Sequence, residues 1–311
     1  MTAEQSKPTV GFIGVGYMGH GLAKNILLGG YDLWIKGNRN RVPVESLIGK
    51  GAKETSDIAE MVGHCDVIHL CLPNSKLVEN VIRGAGGILE NAKSGLIVVD
   101  TSTALPESTV ALADELAAKG MAMVDAPLGR TPKEAEAGTV DAMLGGSDED
   151  VAKVLPIIDC WAGTIKHIGP VGSGHRMKLV MNFLAMSFGA LYSEALSMSA
   201  KSGIAPQIFQ DVIGTSRMGS GFFETFTQGS IGRDPDAHKF ALVNAMKDIN
   251  YAHQMATESG VVGLMSGAAK QYYTYALAHG GGDKNIPDLA DFVAEMNGFD
   301  LAEAVAKGRK A

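Results

Sequence analysis

Cysteine is scarce in this chain: Cys65, Cys71 and Cys160 are the whole supply, an odd number with no CxxC spacing. That excludes a disulfide framework or a zinc ribbon and fits a reducing compartment, the cytoplasm. No uninterrupted apolar run approaches the roughly 20 residues that a membrane span needs, and the opening MTAEQSKPTV lacks the apolar core of a secretory signal. The expectation is a protein neither secreted nor anchored. Positive charge is also in short supply, with 27 Lys and Arg against 34 Asp and Glu for a net −7. No general field therefore draws nucleic acid or an anionic membrane, and any basic site must be local. Low-complexity tracts and internal repeats are missing, and an apolar content of 46% argues against disorder. His and Asp do not cluster at ligand spacing, so no metal is expected.

What is present suits two domains of ordinary size in 311 residues. From Thr9 to about Pro170 short β-rich runs, TVGFIG, YDLWIK, DVIHLCL, GLIVVDTS and AMVDAP, alternate with helical stretches. That alternation predicts a parallel sheet covered on both faces. From His175 onward only long helical stretches appear, broken at Gly203, at Gly219 to Gly221, at Pro235 and at Gly280 to Gly282. The first of them, from His175, can run for about 28 residues, roughly 42 Å at 1.5 Å per residue. It is apolar nearly all round, which predicts burial between domains or subunits. The boundary falls near Gly169 to Gly174, giving an α/β domain over 1–170 and an all-helical domain over 171–311, joined by the long helix.

Directly after the first strand comes the run Gly14-Val15-Gly16-Tyr17-Met18-Gly19. A GxGxxG triplet alone is weak in a chain with 39 glycines, but its place between strand and helix strengthens it. Gly14 permits the tight turn, Gly16 lets a pyrophosphate approach the backbone, and Gly19 lets helix and strand pack closely. The helix N-terminus then offers its unpaired N–H groups to phosphate. At the end of the second strand, where an NAD enzyme carries an Asp or Glu for the ribose, this chain has Asn38, Arg39 and Arg41, and Asp32 sits at the wrong end of that strand. An arginine there can pair with a 2′-phosphate, which favours NADP(H) over NAD(H).

Five segments in order, GFIGVGYMG, DTST (100 to 103), DAPLGRTPKEAEAG (125 to 138), GSGHRMKLVMN (172 to 182) and Lys247-Asp248, make the chain resemble the β-hydroxyacid dehydrogenase family over almost its whole length. The resemblance implies a Rossmann domain followed by an all-α domain, and reversible hydride transfer between a nicotinamide and a short hydroxy acid or its semialdehyde. It places Lys178 as the catalytic lysine and Asn182 as its partner amide. By the same resemblance Ser102 is a substrate contact, and Leu72, Pro73, Thr103 and Lys247 are cofactor contacts. The family commonly forms a homodimer or homotetramer, which is expected here too. Chemically, a lysine whose pKa is lowered from about 10.4 can serve as the proton donor to a reduced carbonyl. Residues 178 and 182 lie on one helical face. His20, His64, His69, His167 and His175 show no obvious acid partner and read as structural, and Met177, Met181 and Met186 read as core packing.

Most of the family follows the Ala-Pro turn with Ser-Gly-Gly, where this chain has Gly129, Arg130 and Thr131. These three are expected to hold the anionic head of a small substrate, since a planar guanidinium suits carboxylate, sulfonate or phosphate oxygens. A Gly-Arg-Thr run at this place is similar to the sulfolactaldehyde reductases, implying 3-sulfolactaldehyde reduction to 2,3-dihydroxypropanesulfonate. Two positions depart from that branch: Met181 and Ala185 stand where it has an Asn and a Ser. KLVMN instead resembles the NADPH-linked succinic semialdehyde and glyoxylate reductases, so tartronate or succinic semialdehyde reduction and 3-hydroxyisobutyrate oxidation stay open. An imine reductase shares the architecture but usually lacks the lysine, as does a catalytically silent cofactor-binding module.

Overall fold

The apolar runs of the N-terminal part read as continuous hydrophobics because they form strands covered on both faces. In the computed structural model, which describes residues 7–308, the chain alternates through β1 (Val10–Ile13), α1 (Gly19–Leu28), β2 (Leu33–Lys36), α2 (Val42–Ile48), β3 (Lys53–Glu54), α3 (Ile58–His64), β4 (Val67–Leu70), α4 (Ser75–Arg83), β5 (Ile97–Asp100), α5 (Pro106–Ala117) and β6 (Ala122–Asp125). It continues through β7 (Leu128–Gly129), α6 (Pro132–Ala137), β8 (Val140–Gly145), α7 (Asp148–Ile158) and β9 (Ala162–Gly169). The strands join in the order β3-β2-β1-β4-β5-β6-β8-β7, with β9 on β8. Chain order reverses between β1 and β4, the position at which open α/β sheets bind their ligands.

The first six strands are parallel. β8 runs antiparallel to β6 and β7, and β9 is parallel to β8. The sheet is therefore mixed, which corrects the expectation of an all-parallel one. β6 and β7 are both antiparallel to β8, so the chain keeps its direction through Ala126-Pro127 and reverses only across α6, on the way from β7 to β8. Adjacent residues feed opposite faces: Val99 joins a core with Phe12, Leu22, Ile35 and Trp161, while Val98 joins one with Met61, Ile68, Leu112 and Met123.

Helix starts follow the local side chains. Asp57 accepts from the Ala59 N–H and Asn74 from that of Leu77, so each satisfies a first-turn donor that the helix cannot. Gly138, at φ +70°, closes α6 with a left-handed cap.

The chain divides into two compact units between Lys178 and Leu179. Crossing that division is α8 (Ser173–Lys201). Thereafter come α9 (Pro206–Gly214), α10 (Gly221–Ser230), α11 (Leu242–Glu258), α12 (Leu264–Ala278), a 3₁₀ turn over Ile286–Asp288, α13 (Leu289–Met296) and α14 (Leu301–Gly308). Their core gathers Phe223, Phe226, Ile249, Tyr273, Leu289 and Val293. Tyr273 donates its hydroxyl hydrogen bond to the Met186 carbonyl at 2.9 Å.

In the single chain one side of α8 is exposed. Val180, Leu184, Phe188, Leu191 and Met198 are each 40% or more exposed, and their spacing makes one stripe along the helix. Among the described residues it is also the one helix with the length and hydropathy of a membrane span. Its buried side carries Asn182, Ser193 and Ser197 with hydrogen-bond partners, as suits an internal helix of the fold.

Candidate active site

Gly14 follows β1 at φ +101°, a conformation that side chains rarely adopt, and a Cβ there would lie 2.3 Å from the Cys71 carbonyl oxygen. At Gly19 a Cβ would meet the Gly14 carbonyl oxygen at 2.0 Å, so α1 packs directly on the turn. Gly16 is different: nothing lies within 4 Å of its added Cβ. The space above Gly16 is open, as a phosphate resting on the backbone requires, and α1 aims its first N–H groups from Gly19 onward. Val15 is buried, Tyr17 is almost fully exposed, and Met18 is the residue before the helix. The turn therefore fits a dinucleotide.

At the other end of the cofactor's expected path, Asn38 and Arg39 are exposed in the loop after β2. Arg41 is occupied: it donates to both Glu54 oxygens at 2.6 and 2.8 Å and to Glu45 at 2.8 and 3.3 Å. These hydrogen bonds push its pKa above the ordinary arginine value and hold Glu54 below the usual carboxylate range. Arg39 has no hydrogen bond or ion pair among the described residues. Asp32 is paired with Lys53 at 2.8 Å and offers the loop no acid.

The ends of β4, β5 and β6 are linked by polar contacts. Ser102, 3% exposed, accepts from the Leu72 N–H at 2.9 Å, and its own N–H donates to Asp100 at 2.9 Å. Pro73 is exposed and Thr103 half-buried. Asp125 receives the Gly172 N–H at 2.6 Å and the His175 N–H at 2.7 Å, so it satisfies two donors at the start of α8. His175 lies fully buried between Asp125 and Asp100, with nitrogen to oxygen distances of 3.8 and 3.9 Å. Burial pushes the Asp100 carboxyl up from its ordinary value, with His175 and Ser102 working against it. One turn further along α8 is Lys178, half-buried.

Four residues after Lys178, Asn182 is 7% exposed and donates from Nδ2 to Asp248 at 2.7 Å. Lys247 contacts the same carboxylate at 3.0 Å and lies over the Tyr251 ring at 5.4 Å. Because a carboxylate only accepts, the Asn182 amide is oriented with its oxygen left for another donor.

Gly129 belongs to β7, and Arg130 follows at φ +72°. Its Nε donates to Asp141 at 2.9 Å, and no other hydrogen bond of its guanidinium falls among the described residues. Thr131 starts α6 with a reciprocal cap: its side chain accepts from the Glu134 backbone N–H while its own N–H donates to the Glu134 carboxylate at 3.1 Å, to which its hydroxyl also donates at 2.5 Å.

Two groups of expected site residues are thus tied internally: Leu72 with Ser102, and Asn182 with Lys247 through Asp248. Gly129 to Thr131 form a third, tied to Asp141 and Glu134. Sequence reasoning missed His175 and its two aspartates. Three of the five histidines read as lacking an acid have one, which corrects that reading: His20 contacts Glu136 at 2.5 Å, His167 contacts Asp148 at 3.4 Å, and His175 has both aspartates. For His20 and His175 the acids lie far away in sequence. The available signal was that Asp100 and Asp125 each open a recognised motif near the end of a predicted strand.

Residues 9–169 match a family described as the NAD binding domain of 6-phosphogluconate dehydrogenase. Residues 172–293 match a family described as NAD-binding of NADP-dependent 3-hydroxyisobutyrate dehydrogenase. The chain is 31% identical to 2-(hydroxymethyl)glutarate dehydrogenase of Eubacterium barkeri, over 94% of this chain and 97% of that one. It is 30% identical to 3-sulfolactaldehyde reductase of Escherichia coli, over 93% and 97%. Among solved structures, 3-hydroxyisobutyrate dehydrogenase from Salmonella typhimurium superposes with a TM-score of 0.80 at 25% identity, covering 91% of this chain and 98% of that one. The chain accordingly belongs to the 3-hydroxyisobutyrate dehydrogenase-like β-hydroxyacid dehydrogenases, a family of NAD(P)-dependent oxidoreductases.

Proposed function

We propose that this enzyme is an NADPH-linked reductase of short anionic semialdehydes in the cytoplasm, with 3-sulfolactaldehyde as its first candidate substrate and 2,3-dihydroxypropanesulfonate as product. The observation that carries this reading is Arg130. Its guanidinium is steadied through Nε by Asp141, which leaves the Nη edge for the oxygens of an acid head. A nicotinamide cofactor held at the Gly14-to-Gly19 turn would supply the hydride. Lys178 donates the proton that the carbonyl oxygen then needs, and the Asn182 amide oxygen, turned away from Asp248, accepts from the lysine or the new hydroxyl. Ser102 accepts from the Leu72 N–H while its hydroxyl also bears on Asp100, so its O–H would have to turn from that carboxyl to donate to substrate. The preference for NADPH rests on Arg39, which has no hydrogen bond or ion pair among the described residues.

A carboxylate head, as in succinic or tartronate semialdehyde or 3-hydroxyisobutyrate, is the second reading, favoured by the apolar Met181 and Ala185 in place of the Asn and Ser of the sulfonate branch. The exposed stripe on α8 supports assembly as a homodimer or homotetramer, since a contiguous apolar surface of this kind marks an interaction site.

The test is a panel of sulfolactaldehyde, succinic semialdehyde, tartronate semialdehyde and 3-hydroxyisobutyrate with each nicotinamide, run on wild type and Lys178→Ala. The sulfonate compound should give the highest kcat/KM, and the variant should lose at least about 1,000-fold in kcat with NADPH affinity intact, the scale of a lost general acid with its positioning. A sulfonate substrate that fails alone moves the assignment to the carboxylates. An active Lys178→Ala enzyme refutes the proton donor.

A further inference from the structure

Buried polar clusters that a proposed mechanism leaves idle call for an explanation, because three titratable groups without solvent are costly to keep. Asp100, His175 and Asp125 are such a cluster, each 0% exposed. Among the described residues no three acids, histidines or cysteines are placed to hold a metal ion, so the cluster is not a ligand set.

We infer that His175 is a positioning residue that locks the Ser102 turn to the first turn of α8 and thereby fixes where Lys178 stands. The inference rests on the reading of Lys178 as proton donor.

The contacts run in both directions from the ring. Nε2 lies 3.0 Å from the Ser102 carbonyl oxygen, to which it must donate, and Nδ1 lies 2.8 Å from the Thr109 hydroxyl. With the Asp100 and Leu72 contacts, the N–H, the carbonyl and the hydroxyl oxygen of Ser102 all have assigned partners. On the helix side, Asp125 grips the backbone N–H of Gly172 and of His175 itself. Gly174 permits this approach: a Cβ there would sit 2.2 Å from the Met143 carbonyl oxygen and 2.8 Å from Asp125. The backbone of residue 175 is therefore pinned by Asp125 and its side chain by Ser102 and Thr109. Lys178 is three residues on, one turn above on the same side of the helix. A shift or rotation at 175 passes to 178 through a rigid turn, and misplacement of about 1 Å can cost on the order of 100-fold in rate.

Two substitutions separate this role from simple packing. His175→Gln has similar volume, and its amide can still donate to the Ser102 carbonyl and accept from Thr109. His175→Leu can do neither. His175→Leu should lower kcat about 10- to 100-fold while the Kd for NADPH stays within about 3-fold, and His175→Gln should recover kcat to within about 3-fold of wild type. Amide hydrogen exchange, which needs no substrate, should quicken in residues 101–105 and 172–178 of His175→Leu and return to normal in His175→Gln. If His175→Leu does not fold, Thr109→Val, which removes the Nδ1 partner at nearly constant volume, carries the same test with a smaller loss of kcat. Wild-type kcat in His175→Leu, unchanged local exchange, equal impairment of the Gln and Leu variants, or parallel losses of kcat and NADPH affinity would each overturn the inference. A wild-type enzyme inactive on every aldehyde of the panel instead overturns the reading of Lys178, and exchange still decides whether His175 orders the turn.

Discussion

Replacing Arg39 with alanine should weaken NADPH binding about 10- to 30-fold and leave NADH binding unchanged, whereas Arg41→Ala should alter neither by more than about 3-fold. The difference comes from what each guanidinium already does. Arg41 engages Nε, Nη1 and Nη2 with Glu45 and Glu54, so a phosphate would have to displace two carboxylates. Arg39 has no such competitor among the described residues. A charge-assisted hydrogen bond contributes roughly 1.5–3 kcal/mol, and the lower end of that range applies to a side chain in solvent, where salt screens the pair. About 1.4 kcal/mol is tenfold in Kd, which sets the expected 10- to 30-fold. NADH lacks the 2′-phosphate and should be indifferent. The assay is a fluorescence titration of both reduced cofactors into wild type and the two variants at one fixed ionic strength. A larger NADPH loss in Arg41→Ala than in Arg39→Ala, or an equal loss of NADH in Arg39→Ala, would refute the assignment.

The glycine turn and a buried histidine give two further tests. Gly16→Ala should keep the wild-type melting temperature, since its Cβ meets nothing within 4 Å, yet bind NADPH poorly; Gly19→Ala should lose about 1–3 kcal/mol of stability through overpacking against Gly14. Thermal melts with cofactor titration check both, and normal NADPH binding by Gly16→Ala would sink the phosphate assignment. His69 is fully buried, stacks on Phe12 with centroids 5.7 Å apart, and has no hydrogen bond at either ring nitrogen among the described residues. Burial holds its pKa down to about 3, against about 6.5 in an unfolded chain. Between those values the unfolded state binds more protons, so stability falls as pH drops below about 6.5, by up to ~1.4 kcal/mol per pH unit. His69→Phe should therefore stabilise the protein more at pH 5 than at pH 8 in urea melts, and an equal gain at both would contradict this account.

Local chemistry was legible in the sequence, and long-range chemistry was not. The glycine turn is marked by three glycines within six residues, and Gly19 packs on Gly14 as that spacing implies. The long helix was expected from His175 to Gly203 and runs Ser173–Lys201. By contrast β9 has Thr164, Lys166 and His167 on an exposed strand, so it lacks the apolar signature that marks the central strands. β3 and β7 are two residues each, too short for any periodicity. Of Arg39 and Arg41, sequence could not say which was available, because Glu54 reaches Arg41 only through the pairing of β2 and β3. His175 was read as structural because its partners lie 66 residues away at Thr109 and 73 at Ser102. Their meeting depends on strand order, which no local pattern records.

The backbone at Arg130, at φ +72°, suits glycine better than any residue with a side chain. Arginine codons of the CGN and AGR types become glycine codons by one first-base change, so a lineage bearing this loop sits a single mutation from relieving that strain. Arginine would then persist only while the organism keeps needing the head group it is proposed to grip. A population released from that need should drift to glycine at this codon before it changes anywhere else in the loop.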